Sequence, residues 1–488
     1  MKKAAIIPAM ALFSAMLVSC NLFPDFSLQD PNANNNLPDN LEEGFFYAQN
    51  TTSGRFYTLE AEIKGEGERC VIWAEIDSGV TPEQAEDIAR VYDNKIRKEI
   101  VDTFSAKNFI VKYQGKDYPF KDVLDYANWL TNGNDEKLTI LLLDIKDGYR
   151  DESDTYVAGY FYSGDFLRKG KNRINNRIYY SNGRDMIYVD IEPGLRLKPE
   201  QAYSTFAHEL QHLVNYVTCI LLDKATTDVW VNEGLSAYAE YIHYGKNPEE
   251  KCVWLNDSRN TVKTGNNFFV WGNHKDKPYA IMDDYATVYL FFRWLYLQAD
   301  PGLQSRIFRD ITSSGYSDYR AVTSVVGSDW EPLLKKWFAA NHDPKNAVYG
   351  YKNDPYLQEG YGTEYPQYYK GVRITPMGGK TVPLYPGEGV YSIFNNNSAV
   401  PVPVAGENIR YEELAGNTTA VKMLLTFNAN KNNKGGRETG SLTGVSSIAT
   451  SRTAADDPQP IEWNGPFVID AQDLLGRDQE RLIFRVPR

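Results

Sequence analysis

The stretch "STFAHELQHLVNY", residues 204–216, decides most of what this sequence can say. It holds two of the chain's five histidines, His208 and His212, with Glu209 directly after the first. Phe206, Leu210, Leu213 and Val217 recur at helical spacing, so an amphipathic helix is expected here. Residues four apart on a helix lie one turn above each other on the same face, so both imidazoles can address one ion. Glu209 sits about 100° around the helix from His208. It is badly placed to bind that ion and well placed to take a proton from a water on it. The amphipathic helix alone explains the apolar residues but not the positions of His and Glu.

Two imidazoles do not complete a catalytic metal site, which takes a third protein ligand and leaves one position open. Glu233, in "WVNEGLSAYAE", lies 21 residues beyond His212 and is the candidate. Taken alone it reads as a carboxylate near a helix N-terminus, stabilised there by the helix dipole, with Asn232 as a possible cap. Behind an HExxH pattern the ligand reading gains weight.

Upstream of this helix, "RFYTLEAEIKGEGERCVIWAEID" alternates apolar and polar residues on both sides of "GEG", the pattern of a hairpin. A helix is expected to begin at Pro82, with Ile88, Val91, Tyr92 and Ile96 at helical spacing. "KLTILLLDI" reads as a buried strand. "AGYFYSGDF" reads as an aromatic loop and "DMIYVDI" as a further strand, along whose edge an extended peptide is expected to lie. Pro199 marks the start of the motif helix, and "VWVNEGLSAYAEYIHYG", "YATVYLFFRWLYLQ" and "WEPLLKKWFAANH" continue as helices. From about residue 346 the periodicity becomes that of short strands between turns: "KTVPLYPGEGVYSIF", "AVKMLLTF" and "RLIFRVP", with residues 428–460 expected to form a mobile loop.

The N-terminus reads as a targeting segment. "MKK" is followed by an apolar run that ends in "LVSC" at Cys20, as in a lipoprotein signal whose cysteine takes the lipid; a plain secretory signal is the alternative. Residues 20–45 are polar and proline-containing, a flexible tether. The lipid on Cys20 would be the contact with a bacterial membrane, placing the chain at the periplasmic face or the cell surface. The chain carries 24% charged residues, as an ordinary globular protein does, and its net charge of −12 argues against non-specific nucleic-acid binding. Of the other cysteines, Cys219 and Cys252 could pair or remain buried thiols beside Cys70.

The motifs together resemble the gluzincin zinc metallopeptidases and, through "KLTILLLDI", "AGYFYSGD", "DMIYVD", "AHELQHLVNY" and "WVNEGLSAYAEY", are most similar to the hyicolysin family over about residues 55–345. The resemblance implies one catalytic Zn2+ held by His208, His212 and Glu233, with Glu209 as the general base. It implies a supporting role for Glu240, two turns beyond Glu233, where a solvated surface carboxylate is the alternative. Tyr285 is similar in placement to the oxyanion-stabilising tyrosine of the aminopeptidase branch, although the Lys-Gly that follows it there is absent; a core tyrosine is the alternative. No GxMEN motif precedes His208, which favours an endopeptidase.

The expected architecture is therefore α+β. A signal peptide (1–19) and tether (20–45) lead into a zincin-like metallopeptidase domain (46–345), with a mixed sheet, the HExxH helix and a helical subdomain, followed by a β-rich domain (346–488). The expected activity is zinc-dependent cleavage of extracytoplasmic proteins or peptides. The other function class is a catalytically silent surface binding protein on a peptidase scaffold.

Overall fold

A computed structural model describes residues 37–113, 115–131, 137–150, 156–174, 177–197, 199–248, 251–252, 281–342 and 344–358, with isolated strands between 382 and 470. Cys20 and most of the tether lie outside the described residues.

The body is a mixed α+β structure. Its strands are β1 (Phe45–Gln49), β2 (Phe56–Glu66), β3 (Cys70–Glu75), β4 (Lys107–Tyr113), β5 (Lys116–Asp122), β6 (Leu138–Leu143), β7 (Gly159–Tyr160), β8 (Gly170–Ile174), β9 (Arg177–Ser181) and β10 (Met186–Asp190). Its longer helices are α1 (Pro82–Val91), α2 (Arg97–Phe104), α3 (Val123–Thr131), α4 (Pro199–Leu221), α5 (Val229–Tyr244), α6 (Ile281–Gln298) and α7 (Trp330–His342). Six strands form one sheet in the order β1-β2-β3-β6-β10-β7. β3, β6 and β10 run parallel, and the outer pairings are antiparallel.

The apolar runs of β6 and β10 follow from their place in the sheet. Ile140, Leu142, Ile187 and Val189 pack into a large core shared with the helices. Leu141, Leu143, Met186 and Tyr188, on alternate positions, pack into a second, aromatic-rich core on the opposite face. A strand buried on both faces has no use for polar alternation. The hairpin expected around "GEG" forms between β2 and β3, with a register irregularity between Ile63 and Gly65. At the start of α1, Thr81 and Gln84 cap each other reciprocally, and Pro82 occupies the first turn.

The sheet curls until its two ends meet through side chains. The Asn182 side chain accepts from the Tyr47 backbone N–H (2.9 Å) and donates to the Tyr47 carbonyl (3.0 Å), as a neighbouring strand would. Tyr160 on β7 accepts from the Gln49 N–H of β1 at 3.2 Å. Behind Asn182, the Asp165 carboxylate accepts from Tyr188 OH (2.6 Å) and from the Asn182 N–H (2.7 Å) with no solvent exposure.

Burial pushes the Asp165 carboxyl up to about 7, against the lowering effect of those two donors. Its folded value lies above the unfolded one near 3.9. The stability it contributes is therefore complete below about pH 4 and lost as pH rises through about 7. Asp165→Asn can donate to Tyr188 OH instead and does not titrate. Wild type should lose stability relative to this variant between pH 5 and pH 8, read as urea midpoints; parallel pH profiles would refute the assignment.

Two sequence expectations need correction. The strand over residues 185–191 is not the edge, because β6 lies on one side of it and β7 on the other. The edge strand comes from "AGYFYSGDF", expected as a loop. Gly159 allows this: a Cβ there would stand 2.6 Å from Thr205 Cγ2 and 2.7 Å from the Tyr188 carbonyl. Any larger residue would push β7 away from α4.

Residues after α7 keep packing on the body. Tyr351 and Leu357 belong to the large core, and Asp354 receives Arg293 Nε (2.9 Å) and Nη2 (2.7 Å) from α6. Further on, Gly389–Asn395, Thr419–Thr426 and Ile409–Leu414 form an antiparallel sheet with Thr419–Thr426 in the middle. Val468–Asp470 lies parallel beside β4. Glu438–Gly440, within the expected loop, pairs with Val382–Leu384, while "RLIFRVP" lies outside the described residues. Cys70, Cys219 and Cys252 are buried and form no disulfide with one another. No described helix is long and apolar enough to cross a membrane.

Candidate metal centre

α4 follows β10 and carries the motif into the interior. Phe206, Leu210, Leu213 and Val217 are fully buried in the large core, as their spacing predicts. This packing fixes the rotation of α4 about its axis and so directs His208 and His212 toward α5. Glu209 is also buried, beside β7: a Cβ on Gly159 would lie 3.3 Å from its Cγ.

α5 presents Glu233, Ser236 and Glu240 on one face, at helical spacing. α6 backs it closely, because Gly234 has no side chain; a Cβ there would stand 2.4 Å from the Phe292 ring. Each residue on the α5 face meets a histidine. Glu240 Oε1 lies 2.6 Å from His208 Nδ1, and Ser236 Oγ lies 3.0 Å from His212 Nδ1. The Ser236 hydroxyl donates to Gln211 Oε1, so toward His212 it accepts. Both Nδ1 atoms thus act as donors, which in a neutral imidazole leaves the Nε2 lone pair available.

The two Nε2 atoms converge on Glu233 Oε2, at 3.4 Å for His208 and 3.6 Å for His212. The three ligand atoms all lie within 4.8 Å of one another. Ligands about 2.0–2.1 Å from a tetrahedral zinc stand about 3.3–3.5 Å apart, so the donor set and its spacing suit that ion. His208 Nε2 is buried and makes no hydrogen bond of its own, a position that a cation would satisfy.

The electrostatics agree. Burial lowers the His208 pKa, yet the Glu233 and Glu240 carboxylates beside it outweigh that and raise the value to about 9. Burial likewise works against an ionised Glu233, and the two imidazoles hold it well below the usual carboxylate range. A site that draws a proton so strongly onto imidazole is one that favours positive charge.

No family model matches the chain. It is similar to a metalloprotease. The neutral metalloprotease ShpI of Staphylococcus hyicus is 25% identical over 281 residues, covering 56% of this chain and 55% of that protein. The chain thus spans about half the length of this relative. The similarity supports a metallopeptidase reading of the motifs.

Of the residues singled out in the sequence, His208, His212 and Glu233 meet at one point, and Glu240 is buried against His208 rather than solvated. Tyr285 is fully buried near the start of α6 and belongs to neither apolar cluster among the described residues. Sequence reading passed over Ser236, although it falls on the helical face of Glu233 and Glu240. It also passed over Lys251, which lies beyond the end of α5 where helical spacing no longer applies.

Proposed function

We propose that this chain is a zinc-dependent endopeptidase of the gluzincin type, acting on extracytoplasmic proteins or peptides. The convergence of His208, His212 and Glu233 on one point carries the reading. His208, His212 and Glu233 would hold the ion. When bound, zinc polarises a scissile carbonyl and lowers the pKa of water to about 7. Glu209 takes the proton from the attacking water and passes it to the leaving amine. Tyr285 would be the donor to the developing oxyanion on the strength of its resemblance in sequence placement to the tyrosine of the aminopeptidase branch, a core tyrosine being the other reading. β7, with Gly159 over Glu209, is the backbone along which an extended substrate would pair. The N-terminal segment adds export and a lipid on Cys20, holding the enzyme at a bacterial membrane.

Metal analysis of the purified protein should give about one zinc per chain. A chelator should abolish cleavage of an unfolded protein such as casein, and zinc should restore it. Chelator-resistant cleavage, or a protein without zinc and without cleavage, would overturn the proposal and favour a binding role.

A further inference from the structure

A second buried ion pair stands directly behind the centre. Lys251 Nζ lies 2.5 Å from Glu240 Oε2, while Glu240 Oε1 holds His208 Nδ1 at 2.6 Å. The Lys251 and Glu240 side chains are 3% and 2% exposed. Ammonium, carboxylate and imidazole therefore form one dry relay that ends at His208 Nε2.

We propose that Lys251 is a positioning residue for the metal centre. The inference rests on the metal-centre reading above. A glutamate has three side-chain torsions, and a single bond to His208 leaves its carboxylate free to turn. With one oxygen on Lys251 and the other on His208, Glu240 cannot rotate without breaking both bonds. The imidazole plane, and the direction of its Nε2 lone pair, are fixed through that carboxylate.

Charge leads to the same role. Glu209, Glu233 and Glu240 are three buried carboxylates around one point. The Lys251 ammonium is the ion-pair partner of the one that holds His208, Glu240. Without Lys251 the Glu240 carboxylate would lose that partner in a dry setting, and buried charge is costly unless paired. The ammonium reaches the centre only through Glu240, so it offsets this charge without competing for the ion's ligands.

The test uses the full chain and zinc itself, in competition with a chromophoric chelator. Lys251→Met is expected to bind zinc about 10–100-fold more weakly than wild type, the usual loss for an outer partner of a metal ligand. Glu240→Gln should show a loss of similar size. The double variant should be no weaker than the weaker single one, because both act through one chain of contacts. Thermal unfolding of the zinc-free proteins provides the control. A variant that unfolds more easily without zinc yet binds zinc as wild type does would overturn the proposal, leaving Lys251 a packing role. Additive losses would overturn it as well. Should Lys251→Met fail to fold, the double variant, which leaves no unpaired buried charge, carries the test; wild-type zinc affinity there is the overturning result. Absence of zinc from the wild type would overturn the metal-centre reading and this proposal together. Equal affinity in wild type and Lys251→Met would overturn this proposal alone.

Discussion

Glu209→Gln is expected to keep zinc and lose peptide hydrolysis, with kcat/KM falling by about 10²–10⁴-fold. That corresponds to about 3–5 kcal/mol of barrier. Glutamine matches the shape of glutamate, so α4 and Gly159 can accommodate it without moving; what it lacks is a basic oxygen. Glu209 sits next to His208 in sequence but a third of a turn away on the helix, so the ligand atoms and their Nδ1 partners remain as they are. Zinc content and casein cleavage should be measured on the same preparation. Full cleavage by the variant would remove Glu209 from the mechanism. Loss of zinc together with cleavage would show that Glu209 acts in metal binding instead.

Asp354→Ala should be the most destabilising change away from the metal. The Arg293 guanidinium is buried on α6, stacked 4.1 Å from the Tyr241 ring centroid. Asp354 also accepts from Asn247 Nδ2 (3.2 Å) and the Leu357 N–H (3.1 Å). Tyr289 OH donates to Asn247 Oδ1 at 2.6 Å, so one carboxylate organises α6, the segment after α5 and the chain beyond α7. Removing it leaves a buried cation without its counter-charge, a loss of about 3–5 kcal/mol. The urea midpoint should fall accordingly, and replacing Arg293 and Asp354 together by apolar residues should cost less than Asp354→Ala alone. A wild-type midpoint for Asp354→Ala would show that the pair contributes nothing net.

Some of this was legible in the residues and some was not, for physical reasons. β6 and β10 announced themselves because strands covered on both faces must be apolar throughout. α4 and α5 did so because their apolar positions repeat at 3.6 residues. The same period places His208 and His212 on one face, and Glu233 follows as the candidate third ligand. The β4–β5 hairpin does alternate, with Phe109, Val111 and Tyr113 inward on one strand and Tyr118 and Phe120 on the other, but it escaped notice because both strands are short and Pro119 stands inside the second. β7 escaped because it is two residues long and exists through the small size of Gly159, a tertiary fact. Ser236 carries no hydrophobic or charge signal, and Lys251 reaches Glu240 from outside the helix, where no local period points.

The Nδ1 anchoring of the two histidines also bears on when order is established in this molecule. Ser236 and Glu240 fix both imidazoles through contacts made entirely within the protein, so their rotamer entropy is lost as α4 and α5 pack rather than when an ion arrives. If the proposed function holds, the chain would complete its fold in a zinc-poor setting and capture metal later, without waiting for its ligands to assemble. Zinc would then be a ligand of an already folded protein, adding RT ln(1 + [Zn]/Kd) of stability, about 4 kcal/mol at a thousandfold excess over Kd. Scarcity of metal would silence such a protein without unfolding it.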